Sequence, residues 1–599
     1  MRHLLVLVIV AACIFFAGLG RFPLLEPDEG RNAEVAREML VSGDWLTPHF
    51  NTLPYLDKPA VFFWLVAGAF RLAGISEGSA RFPSALAALG TMILAWFLAR
   101  RMFGDRTGLR AGIILATCPL VIAFSRLVIF DMTLTFLVTL AMVSFWLASS
   151  AEFRRAWWDV VLFAAMGAAT ITKGPVGFLL PLLSILVYAL LRGKVRDLKR
   201  LRWGLGGAVF LATTLPWFLA VTVRYPDFPR YAFWQESLQR FASGRAQRPG
   251  GIFYYLPVYL AGFFPWSFCL LFAGWNRLRR WKELKQESHA PVLYLMAWGG
   301  VIFAFFSISQ SKLPGYFLPA IVPLSILMAH VWKEVGSCET RNRPDWLTGG
   351  FAVLTSIGLL VSFAGWQVLR FGAVQARVTE KIPPVAIPLL KPTLIYSGLI
   401  LVALGIVGRN LAARTRGRNL SIATFTLLAL TAPLLVVRWL APLKIYVEAY
   451  SSRRLARTIL ASPEKDLPLY GFYYFRTGLP FYLRRPVGLV TSGASEMSSN
   501  YIVKRWAEVH RQSREGEGSR AASGSARQVN GEVTTSFNGL LIEGTEFSAR
   551  VRSSSQPTLV LLRNGNAEGL IEAFRGDRSP VPLWNQWQDG VWEIPAGKP

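Results

Sequence analysis

Apolar residues recur along this chain in runs close to 20 long, separated by polar connections. The runs lie near residues 4–20, 82–99, 111–126, 132–149, 159–171, 175–191, 204–223, 254–275, 291–308, 315–331, 347–368, 393–408 and 420–440. About 20 apolar residues in a helix cross the hydrocarbon core of a bilayer. Backbone polar groups must be satisfied within each segment there, so the pattern predicts about thirteen transmembrane helices. The first run, Leu4–Gly20, has the length of a signal peptide but no A-x-A cleavage site, and is expected to remain as the first span.

Lysine and arginine collect in alternate connections. Arg100, Arg101, Arg106 and Arg110 form one group, and Arg192, Lys194, Arg196, Lys199, Arg200 and Arg202 a second. Arg277, Arg279, Arg280, Lys282 and Lys285 follow, then Arg409, Arg414, Arg416 and Arg418. Basic connections stay in the cytoplasm, which predicts a cytoplasmic N-terminus and a periplasmic C-terminal region. On the opposite face stands a first outer loop, 21–81, far longer than a helix connection needs, and a second over roughly Arg224 to Phe253. Beyond residue 440 the long apolar runs stop. Leu467–Phe475 and Thr558–Arg563 read as strands, and Arg511–Arg527 as a flexible Ser/Gly/Arg/Glu-rich insertion. The expected architecture is a polytopic α-helical membrane domain, 1–440, followed by a small outer α/β domain, 441–599.

Composition narrows the class further. Hydrophobic residues make up 53% of the 599 positions and charged residues 17%, with a mean hydropathy of +0.38; a soluble domain carries about 25% charged residues. With 41 Phe and 21 Trp the chain is neither disordered nor an ordinary soluble enzyme. The net charge of +28 is accounted for by topology and by contact with anionic lipid, which leaves no reason to expect a nucleic acid partner. Four cysteines without CxxC or metal-ligand spacing support neither a disulfide framework nor a zinc site, and five histidines mean that metal chemistry would lean on carboxylates.

The outer face holds the unusual residues. The first outer loop begins Glu26-Pro27-Asp28-Glu29-Gly30-Arg31. Asp28 is a plausible helix N-cap, and Val35, Ala36, Met39 and Leu40 make an apolar stripe that would lay this helix on the membrane surface. Two carboxylates at a membrane edge are costly unless they serve a purpose, and a catalytic base is placed in this way. Downstream, Tyr55 offers a hydroxyl and Lys58 a cation, beside Asp57. Asp131 begins the fourth span, Lys173 lies between the fifth and sixth, and Lys312 and Tyr316 lie between the ninth and tenth. Each of these groups has a bland alternative: a capped first turn, a surface ion pair, lysines reaching for headgroups. Their joint occurrence on one face favours a site for a phosphate whose departure must be stabilised.

These residues stand in an order that resembles the bacterial aminoarabinose transferases, a family related to the protein O-mannosyltransferases. The resemblance rests on Pro27-Asp28-Glu29 with Arg31, Glu34 and Ala36-Arg37-Glu38-Met39-Leu40, then Ser42-Gly43-Asp44-Trp45 and Tyr55 with Lys58-Pro59. It continues through Asp131, Thr172-Lys173-Gly174, Trp234 with Gln239-Arg240-Phe241, Tyr254-Tyr255, Pro265-Trp266 and Lys312-Leu313-Pro314 with Tyr316.

The resemblance implies a C-type glycosyltransferase (GT-C) fold. It also implies transfer of a sugar, with inversion, from a polyprenyl (undecaprenyl) phosphate to an acceptor such as lipid A at the outer face of the inner membrane. On this sequence Asp28 takes the acid/base position, with Glu29 and Asp131 as further catalytic candidates. Lys58, Arg240 and Lys312 take phosphate or cavity positions, with Tyr55 and Tyr316 beside them and Lys173 as partner to Asp131. Two positions depart from the aminoarabinose members: Asp57 stands where they have Glu, and Glu236-Ser237 where they have Glu-His. The missing histidine weakens any divalent metal site, for which Asp57 and Glu236 remain the carboxylate candidates, and leaves the sugar open. Rival readings are a lipid-linked sugar flippase or other transporter, and an O-antigen-type polymerase. Transporter sites lie near the bilayer midplane between repeated halves, whereas here the acids gather at one edge.

Overall fold

A computed structural model describes residues 2–150, 155–239, 250–278, 286–337, 345–367, 382–521, 537, 539–575, 578–586 and 588–596. The chain divides into two compact units. One comprises Met1–Arg21 and Arg81–Tyr446, the other Phe22–Ala80 and Val447–Pro599. The sequence grouped 21–81 with the membrane domain; its residues instead pack with the C-terminal region, through contacts more than 400 positions apart in the chain.

In this second unit the helix Asp28–Ser42 opens the first segment. Its stripe of Val35, Ala36 and Met39 is fully buried within the protein, so it is core and not a membrane-facing surface. Asp28 lies inside the first turn and is not the N-cap. Glu29, also in that turn, reaches back to the chain before the helix and accepts the Leu25 N–H at 3.0 Å. A hairpin of β1 (His49–Phe50) and β2 (Leu53–Pro54) follows, turning through Asn51 (φ 54°) and Thr52 (φ 66°). Left-handed backbone at non-glycine residues costs of order 1–3 kcal/mol and needs support. Here the Asn51 side chain brackets Val487, accepting its N–H at 2.9 Å and donating to its carbonyl at 2.7 Å, while the Thr52 N–H donates to Glu38 at 2.9 Å.

The C-terminal segment builds a six-stranded sheet from β3 (Leu469–Phe472), β4 (Gly488–Val490), β5 (Leu541–Ile542), β6 (Thr558–Arg563), β7 (Val581–Gln586) and β8 (Asp589–Ile594). Its order is β5-β4-β3-β6-β8-β7, parallel from β5 to β6 and antiparallel at β8 and β7. Phe472, Val490, Ile542, Val560 and Leu562 of the strands pack with Phe547, Val551, Leu570 and Phe574 of the helices Gly544–Ser553 and Ala567–Ala573 and the turn after them. Residues 511–521, expected to be part of a flexible insertion, continue the helix Asn500–Ala521; 522–527 lie outside the described residues.

Eight helices among the described residues are long and apolar enough to cross a membrane: Glu77–Phe103, Phe130–Ser149, Trp203–Arg224, Glu287–Ile308, Pro314–Gly336, Asp345–Gln367, Pro384–Arg414 and Gly417–Ala449. A ninth candidate, Ile252–Gly262 with Trp266–Gly274, is bent by 115°. Each of the thirteen apolar windows is mainly helical over its described residues, but several are not full-length spans. The third is broken into Asp105–Ala116 and Pro119–Phe124, because Pro119 has no N–H and drives Cys118 to φ −71°, ψ 127°. Arg2–Phe16 and Val176–Leu191 are apolar but short. Ala156–Lys173 carries Asp159 in its first turn and Lys173 in its last.

Asp345–Gln367 and Ile387–Arg414 meet along a seam of small residues. A Cβ on Gly398 would stand 2.2 Å from Ser362 Oγ and 2.4 Å from the Gly358 carbonyl oxygen. Small residues let helices in lipid approach closely enough for dispersion to hold them, while Leu359, Leu360 and Phe363 face outward. Gly398→Val should therefore destabilise this helix pair by about 1–3 kcal/mol, read as a lower unfolding midpoint of the purified protein in detergent. An unchanged midpoint would mean that the seam opens at no cost.

Candidate active site

In the second unit Arg31 organises the acidic first turn. Its Nη2 donates to Asp28 Oδ1 at 2.6 Å and its Nη1 to the Ser498 carbonyl at 2.9 Å, and the guanidinium lies 5.6 Å from the Tyr55 ring centroid. The i,i+3 spacing on one helix brings Asp28 and Arg31 together. The Asp28 side chain keeps 36% of its exposure, enough for a substrate to reach it. Tyr55 is buried, edge-on to Phe50 and Phe63. Lys58 is half-buried and donates to the Asp57 carbonyl at 2.8 Å.

Asp57 serves another element. Its two carboxylate oxygens accept the N–H groups of Asn500 (3.1 Å) and Tyr501 (2.9 Å), capping the helix Asn500–Ala521, whose N-terminal dipole favours an anion there. Glu236 is half-buried in the π-helical stretch Arg230–Gln239. Among the described residues no three His, Cys, Asp or Glu side chains come together to hold a metal ion. The donor set of the described residues does not fit a divalent metal.

The first unit holds its own cluster. Asp131 lies in the first turn of Phe130–Ser149, and Lys173 Nζ donates to its Oδ1 at 2.7 Å. Both are nearly buried, and an acid in so apolar a setting needs such a partner. The Lys173 ammonium also stands 4.5 Å from the Tyr316 ring centroid. A Cβ on Gly315 would lie 2.5 Å from Asp131 Oδ1, so only glycine lets the 313–316 turn approach this pair. Lys312, only 3% exposed, donates to the carbonyls of Phe306 (3.1 Å), Ser307 (2.8 Å) and Ser309 (2.7 Å) at the end of the preceding helix. Its ammonium therefore satisfies carbonyls that the helix leaves open, and it would have to release one of them to bind a phosphate. Arg240 lies outside the described residues. An apolar cleft of about 470 Å³ is lined by Leu260, Phe264, Leu401, Leu435 and Trp439 among others.

Comparison with known proteins follows this geometry. The family model of dolichyl-phosphate-mannose-protein mannosyltransferases matches residues 1–232. The undecaprenyl phosphate-alpha-4-amino-4-deoxy-L-arabinose arabinosyl transferase of Enterobacter sp. (strain 638) is 34% identical over 376 residues, 62% of this chain and 66% of the relative. Its counterpart from Pseudomonas aeruginosa (strain UCBPP-PA14) is 37% identical over 365 residues, 59% of this chain and 64% of the relative. The match thus spans slightly less than two thirds of these relatives' length. Among solved structures, ArnT from Cupriavidus metallidurans bound to undecaprenyl phosphate covers 99% of both chains with a TM-score of 0.79 and 27% identity. The chain is similar to the aminoarabinose transferases, in sequence over about 60% of its length and in fold over nearly all of it. It is a multi-pass membrane protein with the GT-C fold.

One group in this aminoarabinose transferase-like chain carried no assigned role in the sequence reading. Glu34 takes Arg37 at 2.6 Å through both oxygens, and Glu38 lies beside them, buried. The i,i+3 and i,i+4 spacings were the available signal. Burial, and then the Glu34 charge, push the Glu38 carboxyl up to about 8. The folded state thus holds this proton more tightly than the unfolded chain does. Its stabilising contribution is complete below the ordinary carboxyl range and is lost as pH rises towards 8. Relative to wild type, the unfolding midpoint of Glu38→Gln should rise progressively from about pH 5 to 8 and stay level above. Parallel midpoint curves for the two proteins would contradict this assignment.

Proposed function

We propose that this protein is an integral-membrane glycosyltransferase that moves a sugar from an undecaprenyl-phosphate-linked donor to an acceptor such as lipid A. Its orientation has the N-terminus in the cytoplasm and the C-terminal region in the periplasm of the bacterial inner membrane. The reading is carried by the likeness, over 99% of both chains, to an aminoarabinose transferase bound to undecaprenyl phosphate. The basic connections support the orientation.

In this reaction the acceptor oxygen attacks the anomeric carbon, a C–O bond forms, and the bond from that carbon to the lipid phosphate breaks with inversion. Asp28 takes the acceptor's proton, its carboxylate held by Arg31. The leaving undecaprenyl phosphate gathers negative charge, which cations offset more strongly in a site that excludes water. Lys58 is assigned to that task, as are Lys173, Lys312 and Arg240 in the membrane unit; Tyr55 and Tyr316 are assigned to substrate binding. Glu29 and Asp131 are assigned supporting roles, Glu29 holding the Leu25 backbone that leads into the Asp28 helix and Asp131 partnering Lys173. No metal is needed to balance these steps.

Mass spectrometry of envelope glycolipids from a deletion strain tests the reading. Complementation with wild type should restore a lipid A species heavier by one sugar. Complementation with Asp28→Asn, inserted at equal level, should not; loss of a general base lowers turnover by about 10²–10⁴-fold. Full product from the Asn strain would remove Asp28 from the role. An identical lipid profile in all strains would contradict lipid A as the acceptor.

A further inference from the structure

Two residues before Asp28, Glu26 is fastened to the C-terminal segment of the same unit. Its N–H donates to the Tyr450 carbonyl at 3.1 Å. Its Oε1 accepts from Ser452 Oγ at 2.5 Å and from the Gly478 N–H at 2.8 Å, and its Oε2 lies against Thr477 Oγ1 and 3.0 Å from the same N–H. Thr477 Oγ1 is also 2.6 Å from the Pro27 carbonyl oxygen.

One hydroxyl carries one hydrogen and cannot donate fully to both neighbours. A proton on Glu26 resolves the count: Oε2–H donates to Thr477 Oγ1, and the Thr477 O–H donates to the Pro27 carbonyl. Burial pushes the Glu26 carboxyl up, against the opposing pull of Arg476 and the surrounding donors. Arg476 is itself held by Asp589 at 2.6 and 3.1 Å, and Asp589 accepts the Tyr474 hydroxyl at 2.7 Å. The anchor therefore continues into the sheet at β8.

The backbone leaves no slack. A Cβ on Gly30 would stand 2.5 Å from Gly478 Cα, and one on Gly478 2.6 Å from Glu26 Oε1. The first turn of the Asp28 helix is pressed directly on residues 477–478.

We propose that Glu26 and Thr477 are positioning residues for transfer. Through them the C-terminal segment, 447–599, sets where Asp28 sits and so belongs to the catalytic apparatus. This inference rests on the transferase reading with Asp28 as base.

The test uses the purified full-length protein, an undecaprenyl-phosphate-linked aminoarabinose donor and lipid A, with kcat and donor KM measured separately. Thr477→Val should lower kcat by about 10–10²-fold, because small misplacements of a reacting group are costly, and leave donor KM within about threefold. Thr477→Ser, which keeps the hydroxyl, should restore wild-type kcat, as should Glu26→Gln, which keeps both an acceptor and a donor. Wild-type kcat in Thr477→Val would overturn the proposal, as would a Thr477→Ser protein equally impaired or a loss confined to KM. If Thr477→Val does not fold, Ser452→Ala, which removes one donor to Oε1, gives the same decision: lowered kcat at constant KM supports, wild-type kcat overturns. Failure of the wild-type protein to transfer at all would instead count against the transferase reading.

Discussion

Arg31 satisfies three requirements with one guanidinium. It pairs with the Asp28 carboxylate, donates to the Ser498 carbonyl and lies over the Tyr55 ring. A planar, permanently charged fork does this where a lysine would hold a single point. The helix Asp28–Ser42, the hairpin that delivers Tyr55 and the loop before Asn500 thus share one cation. Their positions are coupled through it, and the reach of Asp28 toward an acceptor depends on it.

The same constraint recurs wherever the chain takes charge out of water: each buried charge described above is closed by a partner. Asp131 is closed by Lys173, Asp57 by the end of a helix, Lys312 by three carbonyls, and Arg476 by Asp589. Pairs of this kind contribute little net stability, because desolvation offsets much of their attraction, yet losing one partner leaves a costly unpaired charge. They serve here to hold positions. Packing comes from elsewhere, from the glycine seam of the membrane unit and from the apolar core of the sheet.

Much of this was legible in the order of residues. Apolar windows located the helices because lipid demands long apolar runs, and the acids and lysines of the site stood out against them. Where the reading departed from the structure, the cause was contact made at a distance along the chain. The stripe Val35, Ala36 and Met39 has the same pattern whether it faces lipid or core, and only the elements packed on its helix, Val61–Ala73, His49–Phe50 and Leu479–Leu483, decide which. Asp57 looked like a donor for a cation because nothing local shows that Asn500 and Tyr501 claim its oxygens. The way Lys312 folds back on its own helix end also leaves no periodic trace in the sequence. The break of the third window, expected to be one continuous span, did carry a local signal in Cys118-Pro119 that the apolar run masked. Asp28 stood out as a carboxylate at the membrane edge, and its pairing with Arg31 was available in their i,i+3 spacing, whereas Glu26 had no signal short of the fold.

The central claim is that Arg31 holds Asp28 in place for proton transfer. The most direct measurement is the single-turnover rate of sugar transfer by purified protein at saturating donor, comparing wild type with Arg31→Lys and Arg31→Met. The account predicts a chemical step slowed by about 10²-fold or more in both variants, with donor affinity retained. Transfer at the wild-type rate by a folded Arg31→Met protein would contradict it.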